Sequence, residues 1–328
     1  MKRAALTAIA VGMVLLTVGV SPTWAQPTTT ICVPEKAGTP VVSGTSEGTC
    51  TSPKDKALRL PGPEGLATLN KVLPHLNYVE SGVGGKPTIQ VSGANLQIVN
   101  GEGKTNTTNG AGNLVIGYNQ SREEECEEGN PLECIFGIVG RQTGSHNLIV
   151  GSGQSFTSYG GIVAGLVGTI TAPYASVTGG FQNEASGERA SVSGGSTNRA
   201  SALFASVSGG EADTASGESD WVSGGALNKA SGFSASVSGG SANTASGFFS
   251  SVSGGHKNTA SENWSSISAG EDNKATDEAS SVSGGYGNKA TGGWAWIGGG
   301  YGNKAEGAYS SIYGGQELKA TEPAQAIP

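Results

Sequence analysis

From Ser176 onward a single apolar residue returns between two polar ones at a fixed interval. Val177, Val192, Val207, Val222, Val237, Val252, Ile267, Val282, Ile297 and Ile312 stand 15 residues apart, without one insertion. Eight residues after each comes an alanine, from Ala185 and Ala200 through to Ala305 and Ala320, in all ten copies. The alternation in Ser191-Val192-Ser193 turns one side chain inward and two outward, as a strand with a period of two requires. A second column holds Asn183, Asn198, Asn228, Asn243, Asn258, Asn273, Asn288 and Asn303, with Asp213 and Leu318 as exceptions. The consensus V-S-G-G-x-x-N-x-A-S-G-x-x-A/S-S predicts an all-β parallel solenoid with one turn per repeat, its core ladder being the Val/Ile column.

Each column has an expected role. Gly194-Gly195 supplies a corner that takes positive φ without Cβ strain. The Asn is expected at a second corner in the left-handed region, with its side chain hydrogen-bonded along the coil axis. Alanine fits a narrow interior. With so little apolar volume per turn, the coil gains from further burial between chains.

Upstream, Asn147-Leu148-Ile149-Val150-Gly151 and Gly161-Ile162-Val163-Ala164-Gly165 are looser copies, and steps of 14 separate Ile149, Val163 and Val177. Asn113-Leu114-Val115-Ile116-Gly117 reads as an earlier turn, and Thr88–Val91 with Leu96–Val99 as the first strands. Leu66, Leu69, Val72, Leu73 and Leu76 follow helical spacing in a short segment that Pro74 ends or kinks. The expected organisation is a leader over 1–25, a disulfide segment and linker over 26–65, and a short helix and turn over 66–87. Irregular coil turns follow over 88–170, interrupted by a loop carrying Cys126 and Cys134, then regular turns over 171–320 and a frayed tail over 321–328.

Composition places this coil outside the cytoplasm. Met-Lys-Arg, an apolar run from Ala4 to Val20 and small residues ending at Ala25 make a secretory signal peptide, with no later run long enough to span a bilayer. Loss of Lys2 and Arg3 leaves 17 basic against 26 acidic residues, a net charge of −9, which disfavours nucleic acid as a partner. Cys32, Cys50, Cys126 and Cys134 form an even set in an exported chain, and Cys32–Cys50 with Cys126–Cys134 is the simplest of three connectivities.

Catalytic chemistry finds little support. His75, His146 and His256 are the three histidines, and nothing in the pattern places two together. Gly44-Thr45-Ser46-Glu47-Gly48 matches G-x-S-x-G but lacks a strand before it and a helix after it. Glu123, Glu124, Glu125, Glu127, Glu128 and Glu133 in the cysteine loop read as solvated surface rather than a calcium site. No cofactor and no metal are expected. An ice-binding face is disfavoured because Trp221 and Trp296 interrupt its serine columns, and the Lys274, Lys289, Lys304 and Lys319 column reads as solvated charge neutralised by Glu271, Asp272 or Glu317.

One column does carry a functional signal. Three residues before each core Val/Ile stand Tyr174, Arg189, Phe204, Ser219, Ser234, Phe249, Trp264, Ala279, Trp294 and Tyr309. Six of these ten are aromatic in a chain where aromatics make up 6%. Tyr174, Phe204, Phe249, Trp264, Trp294 and Tyr309 therefore form a candidate protomer interface or binding stripe.

The repeat S-V-S-G-G-x-x-N-x-A-S-G, over about Gly144 to Ala320, resembles the S-V-A-I-G-x-x-A-x-A-x-G repeats of YadA-like heads in bacterial trimeric autotransporter adhesins. That resemblance implies a left-handed β-roll, a homotrimer, and a non-enzymatic adhesive role at the cell surface or after secretion, toward a host, matrix or glycan surface. Two departures stand out: Gly194, Gly209 and Gly239 replace the second apolar residue, and the period is 15 where the family often has 14. No coiled-coil stalk or membrane barrel follows the repeats here, so a released or indirectly attached factor is expected. The alternative is a monomeric secreted solenoid that binds a glycan or another surface through the aromatic stripe.

Overall fold

The computed structural model describes residues 29–33, 42–43, 56–60, 63–120 and 141–328. The leader over 1–25, the G-x-S-x-G match, Cys50, and the loop with Cys126, Cys134 and its glutamates lie outside the described residues. Cys32 falls on the first strand.

The chain divides into two units, Met1–Gln97 and Ile98–Pro328. In the first, β1 (Thr29–Val33) pairs antiparallel with β2 (Val42–Ser43) and β3 (Lys56–Leu60). Helix α1 spans Pro63–Val72 and tightens into a single 3-10 turn, Leu73–His75, at Pro74. A proline there has no N–H to continue the α-helical ladder, so the sequence stop is the structural stop. β4 (Leu76–Val79) and β5 (Thr88–Val91) then form an antiparallel hairpin. This corrects one expectation: Thr88–Val91 is not the first strand of the coil, and Leu96–Val99 form no strand. The connection between β4 and β5 turns back through Gly84 and Gly85, both with positive φ. So short a link allows antiparallel pairing, whereas parallel strands need a crossover of roughly a dozen residues or more.

The second unit is a parallel β-solenoid of about 12 turns. One sheet starts at β6 (Leu114–Ile116) and runs along the Val/Ile column, with Val115 opposite Ile149, Ile149 opposite Val163, and Val163 opposite Val177. From Val177 each partner lies 15 residues on, as in Val177 with Val192 and Ile297 with Ile312. A second sheet runs along the alanine column, from Ser155–Phe156 to Lys319–Ala320. Single bridges make a third line, from Leu166–Phe181 to Tyr301–Gln316. Every member of the Val/Ile ladder and of the alanine column is at most 1% exposed, so both columns form the core as their spacing predicts.

The tail over 321–328 is also corrected. Ala326–Ile327 pairs parallel with Ser311–Ile312, and the N–H groups of Ser311 and Tyr313 donate to the carbonyls of Gln325 and Ile327. Ile327 stands 15 residues after Ile312. The consensus glycines and Asn are gone by then, but the apolar residue that carries the register is kept. Backbone hydrogen bonds between turns need little else.

Each regular turn closes through three left-handed residues. The second glycine of the pair is one, with φ of 82° at Gly195 and 92° at Gly255. A Cβ on Gly195 would run into the Gly210 carbonyl oxygen of the next turn, while one on Gly194 would meet open space. The second left-handed residue is the one before the Asn rather than the Asn itself: Thr197 at 56°, Leu227 at 60°, Lys257 at 55°. Closure of the turn imposes this, since the Thr197 and Lys257 N–H groups donate to Phe181 and Ser241 carbonyls one turn back at 2.9 Å. Those bonds offset a left-handed cost of about 1–2 kcal/mol per residue. The third position is the aromatic column.

Candidate functional site

The aromatic column forms the third corner of the turn, and all ten of its residues, aromatic or not, have φ between 51° and 61°. A left-handed residue at a tight corner directs its side chain away from the core. Tyr174, Phe204, Phe249, Trp264, Trp294 and Tyr309 are accordingly 44 to 65% exposed. Parallel stacking of the turns then places successive rings against one another. Phe249 and Trp264 stack with centroids 6.4 Å apart and planes within 9°, and Trp294 and Tyr309 do the same at 6.4 Å and 16°. Phe233, next to the column, stacks on Phe248 at 5.5 Å and meets Phe249 edge-on at 5.7 Å. At the other end the Arg189 guanidinium lies over Tyr174 at 5.9 Å and over Phe204 at 5.4 Å. A cation between two ring faces continues the stack where the aromatic is missing. The stripe breaks at Ser219, Ser234 and Ala279, so the structure groups the six candidates in three clusters. Because ring faces are turned toward neighbouring turns, ring edges point outward, a geometry suited to packing against another apolar surface.

Inside the opposite corner runs a ladder of buried amides. Asn198 N–H donates to Asn183 Oδ1 at 2.9 Å, and Asn198 Nδ2 donates to the carbonyls of Gly194 and Gly210, each at 2.9 Å. The same triplet recurs at Asn243, Asn258, Asn288 and Asn303. Hydrogen bonding along the axis is thus present as expected, though the left-handed residue is its neighbour.

Asp213 replaces one of these amides. Its Oδ1 accepts from Asn228 N–H at 2.7 Å, but Oδ2 is buried with no hydrogen-bond partner. That oxygen occupies the place where the other turns put an NH2 group between two carbonyls. Burial raises the Asp213 pKa, against the opposing effect of the Asn228 hydrogen bonds. Asp220, seven residues on, is also buried, accepting from Ala235 N–H at 2.8 Å and Gly217 N–H at 2.6 Å. Loss of solvation pushes its pKa up to about 6. A shifted, buried carboxyl is a common mark of a catalytic acid. Here both carboxyls are at most 1% exposed and accept from backbone N–H groups, of Asn228 for Asp213 and of Ala235 and Gly217 for Asp220.

The histidines stay engaged with local backbone or a single partner. His75 Nδ1 meets the Ser92 carbonyl at 2.8 Å, and His146 Nε2 accepts from Asn100 N–H at 3.1 Å. His256 Nδ1 lies 3.2 Å from Glu271, which takes that glutamate away from the lysine column. Lys319 pairs with Glu306 at 3.0 Å. Among the described residues Lys274, Lys289 and Lys304 make no ion pair, so the expected neutralisation by Glu271, Asp272 or Glu317 is not formed.

Two aromatic groupings lie outside the aromatic column. Tyr286 and Tyr301 stack at 5.3 Å on the bridge line. Trp296 and Tyr313 meet edge to face at 5.4 Å on the serine face of the core strand. The signal for both was available as departures from otherwise constant columns, but only once each column's face is known. Among the described residues no helix is long and apolar enough to cross a membrane. No protein-family model matches this chain, and no curated protein does either.

Proposed function

We propose that this chain is an exported, non-enzymatic adhesive protein whose solenoid works as a head, three left-handed coils packed side by side. The observation that supports this most is the exposed aromatic stripe. Rings held edge-outward along one corner, with centroids 6.4 Å apart, give each coil a narrow apolar seam. A coil that buries only one Val or Ile and one Ala on these columns per turn has little interior of its own. A shared seam supplies the missing burial. The likeness of the repeat to YadA-like heads points to the same assembly and to display at or beyond the cell surface. Its remaining outer faces would then contact a host, matrix or glycan surface.

Light scattering behind size exclusion on the purified chain tests the assembly. The expected mass is that of three chains, falling to one chain in the double variant Phe249→Ser, Trp264→Ser while the circular dichroism spectrum is kept. A wild-type monomer removes the trimeric reading and makes the same stripe a ligand surface.

A further inference from the structure

On the face opposite the core Val/Ile, the strand side chains are almost uniformly hydroxylic. From Val177 to Ile312 the residue before the core position is Ser except at Trp221 and Trp296, and the residue after it is Ser or Thr except at Gly298 and Tyr313. Three of these four exceptions meet at one place. Trp296 and Gly298 flank Ile297 on one strand, and Tyr313 lies beside Gly298 on the next. The Trp296 indole N–H donates to Ser283 Oγ at 3.1 Å, which fixes one ring edge toward the preceding turn. Its six-membered ring lies over Gly298: a Cβ there would sit 2.9 Å from Cη2 and 3.1 Å from Cζ2, and 2.5 Å from the Tyr313 carbonyl oxygen. A serine at this position would therefore have to displace the indole as it lies here. On the far side Tyr313 stands perpendicular to it, the planes at 86°.

We propose that Trp296 and Tyr313 form a saccharide-binding corner that takes one pyranose ring of a neutral, β-linked gluco-configured glycan. The indole, bonded through its N–H to Ser283 and packed on Gly298, is half-buried and gives the corner an apolar floor. Tyr313, 63% exposed, is the wall. Ser281 and Ser311 are the register partners of Trp296 on either side and place hydroxyls along the rim. A pyranose with equatorial hydroxyls has the matching form, an apolar face of axial C–H groups with a polar edge. Binding sites of this kind combine an apolar platform with a few fixed polar groups. A proline-rich peptide also packs on aromatic side chains, but it docks in extended aromatic-lined grooves. A single corner with a hydroxyl rim suits a sugar better.

Trp221 is the built-in control. Its N–H also reaches a serine thirteen residues back, Ser208 Oγ at 3.3 Å, but Ser223 occupies the position of Gly298 and Ser238 that of Tyr313. At 41% exposed it is the more open indole, but it has neither the glycine beside it nor the tyrosine wall. The corner is separate from the aromatic stripe, so its test does not depend on how the coils assemble.

The experiment is calorimetric titration of the whole chain with cellohexaose, chitohexaose and a proline-rich peptide. The expected result is saturable binding of an oligosaccharide with Kd of roughly 0.1–1 mM, as one stacked ring permits. Trp296→Ser or Tyr313→Ser, each restoring the column's own residue, is expected to weaken it by about tenfold or more. Trp221→Ser leaves it unchanged. Size exclusion and thermal melting of each variant separate lost binding from lost structure. The proposal is overturned by no heat with either oligosaccharide, by binding that survives Trp296→Ser, or by a response to the peptide alone.

Discussion

Gln154 and Asn258 perform the same task in two differently built parts of the coil. Asn258 belongs to the regular turns, where one amide per turn at one column accepts from the next turn and donates to two carbonyls. Gln154 belongs to the stretch where the step between turns is 14 residues. Its Oε1 accepts from Gly168 N–H at 2.7 Å, and its Nε2 donates to Val150 and Gly165 carbonyls at 3.1 and 2.5 Å. At the other corner of that stretch Asn147 accepts from Gly161 N–H and donates to the Ser158 carbonyl. The difference shows that the repeat is one solution to a more general demand. A buried side-chain oxygen that accepts from the adjacent turn recurs at this corner, and the residue type and turn length can change around it.

Removal of the amide is the most severe challenge. Asn258→Leu and Gln154→Leu each remove two donated bonds to carbonyls and one accepted N–H bond, the Gly270 carbonyl keeping its bond from the His256 N–H, and each costs about 2–4 kcal/mol. Denaturant midpoints are expected to fall equally for the two. A loss at Asn258 alone would mean that the early turns close by other means. Gly195→Ala comes next, at roughly 2–4 kcal/mol, because it adds a left-handed Cβ facing the Gly210 carbonyl.

A gain is expected from Asp213→Asn, which completes the ladder: about 1–2 kcal/mol at neutral pH. The sign follows from the raised pKa of Asp213 and of Asp220, the latter moved from 3.8 to about 6. Folding favours the neutral acids, so their contribution is complete below the unfolded value and is lost as the pH rises through the folded one. Urea midpoints of the wild type are expected to be higher near pH 4 than above about pH 6. The double variant Asp213→Asn, Asp220→Asn flattens that profile. The smallest effect belongs to Gly194→Ala, within about 0.5 kcal/mol by the same denaturation assay, since its Cβ points into open space.

What could be read in advance was whatever depends on period. Val177 to Ile312 and Ala185 to Ala320 had to be interior, since inward positions of a stacked coil must repeat with its turn. The stacked Asn amides were legible for the same reason. The left-handed residue at the Asn corner was not, because Thr197, Leu227 and Lys257 share no chemistry that would mark them; chain closure selects the conformation. Ile327 was missed although it keeps the interval, because the surrounding consensus had faded. Hairpin pairing of Thr88–Val91 turned on the length of its connection rather than on its alternation. The Trp296 corner needed the register itself, since residues 296, 298 and 313 become neighbours only when strands are laid side by side.

The fixed interval also bears on how such a molecule changes size. Each turn receives its hydrogen bonds from the one before and passes on the same set, so any internal turn is interchangeable with the next. A duplication or loss of fifteen codons in register inserts or removes a rung and leaves every other contact in place. A change of another length has to be absorbed within its own turn, as the 14-residue steps from Ile149 to Val163 and Val177 are. Reach is therefore heritable in discrete steps, and the distance between the early turns and the Trp296 corner can be reset by unequal recombination among near-identical repeats, without a new fold to be found.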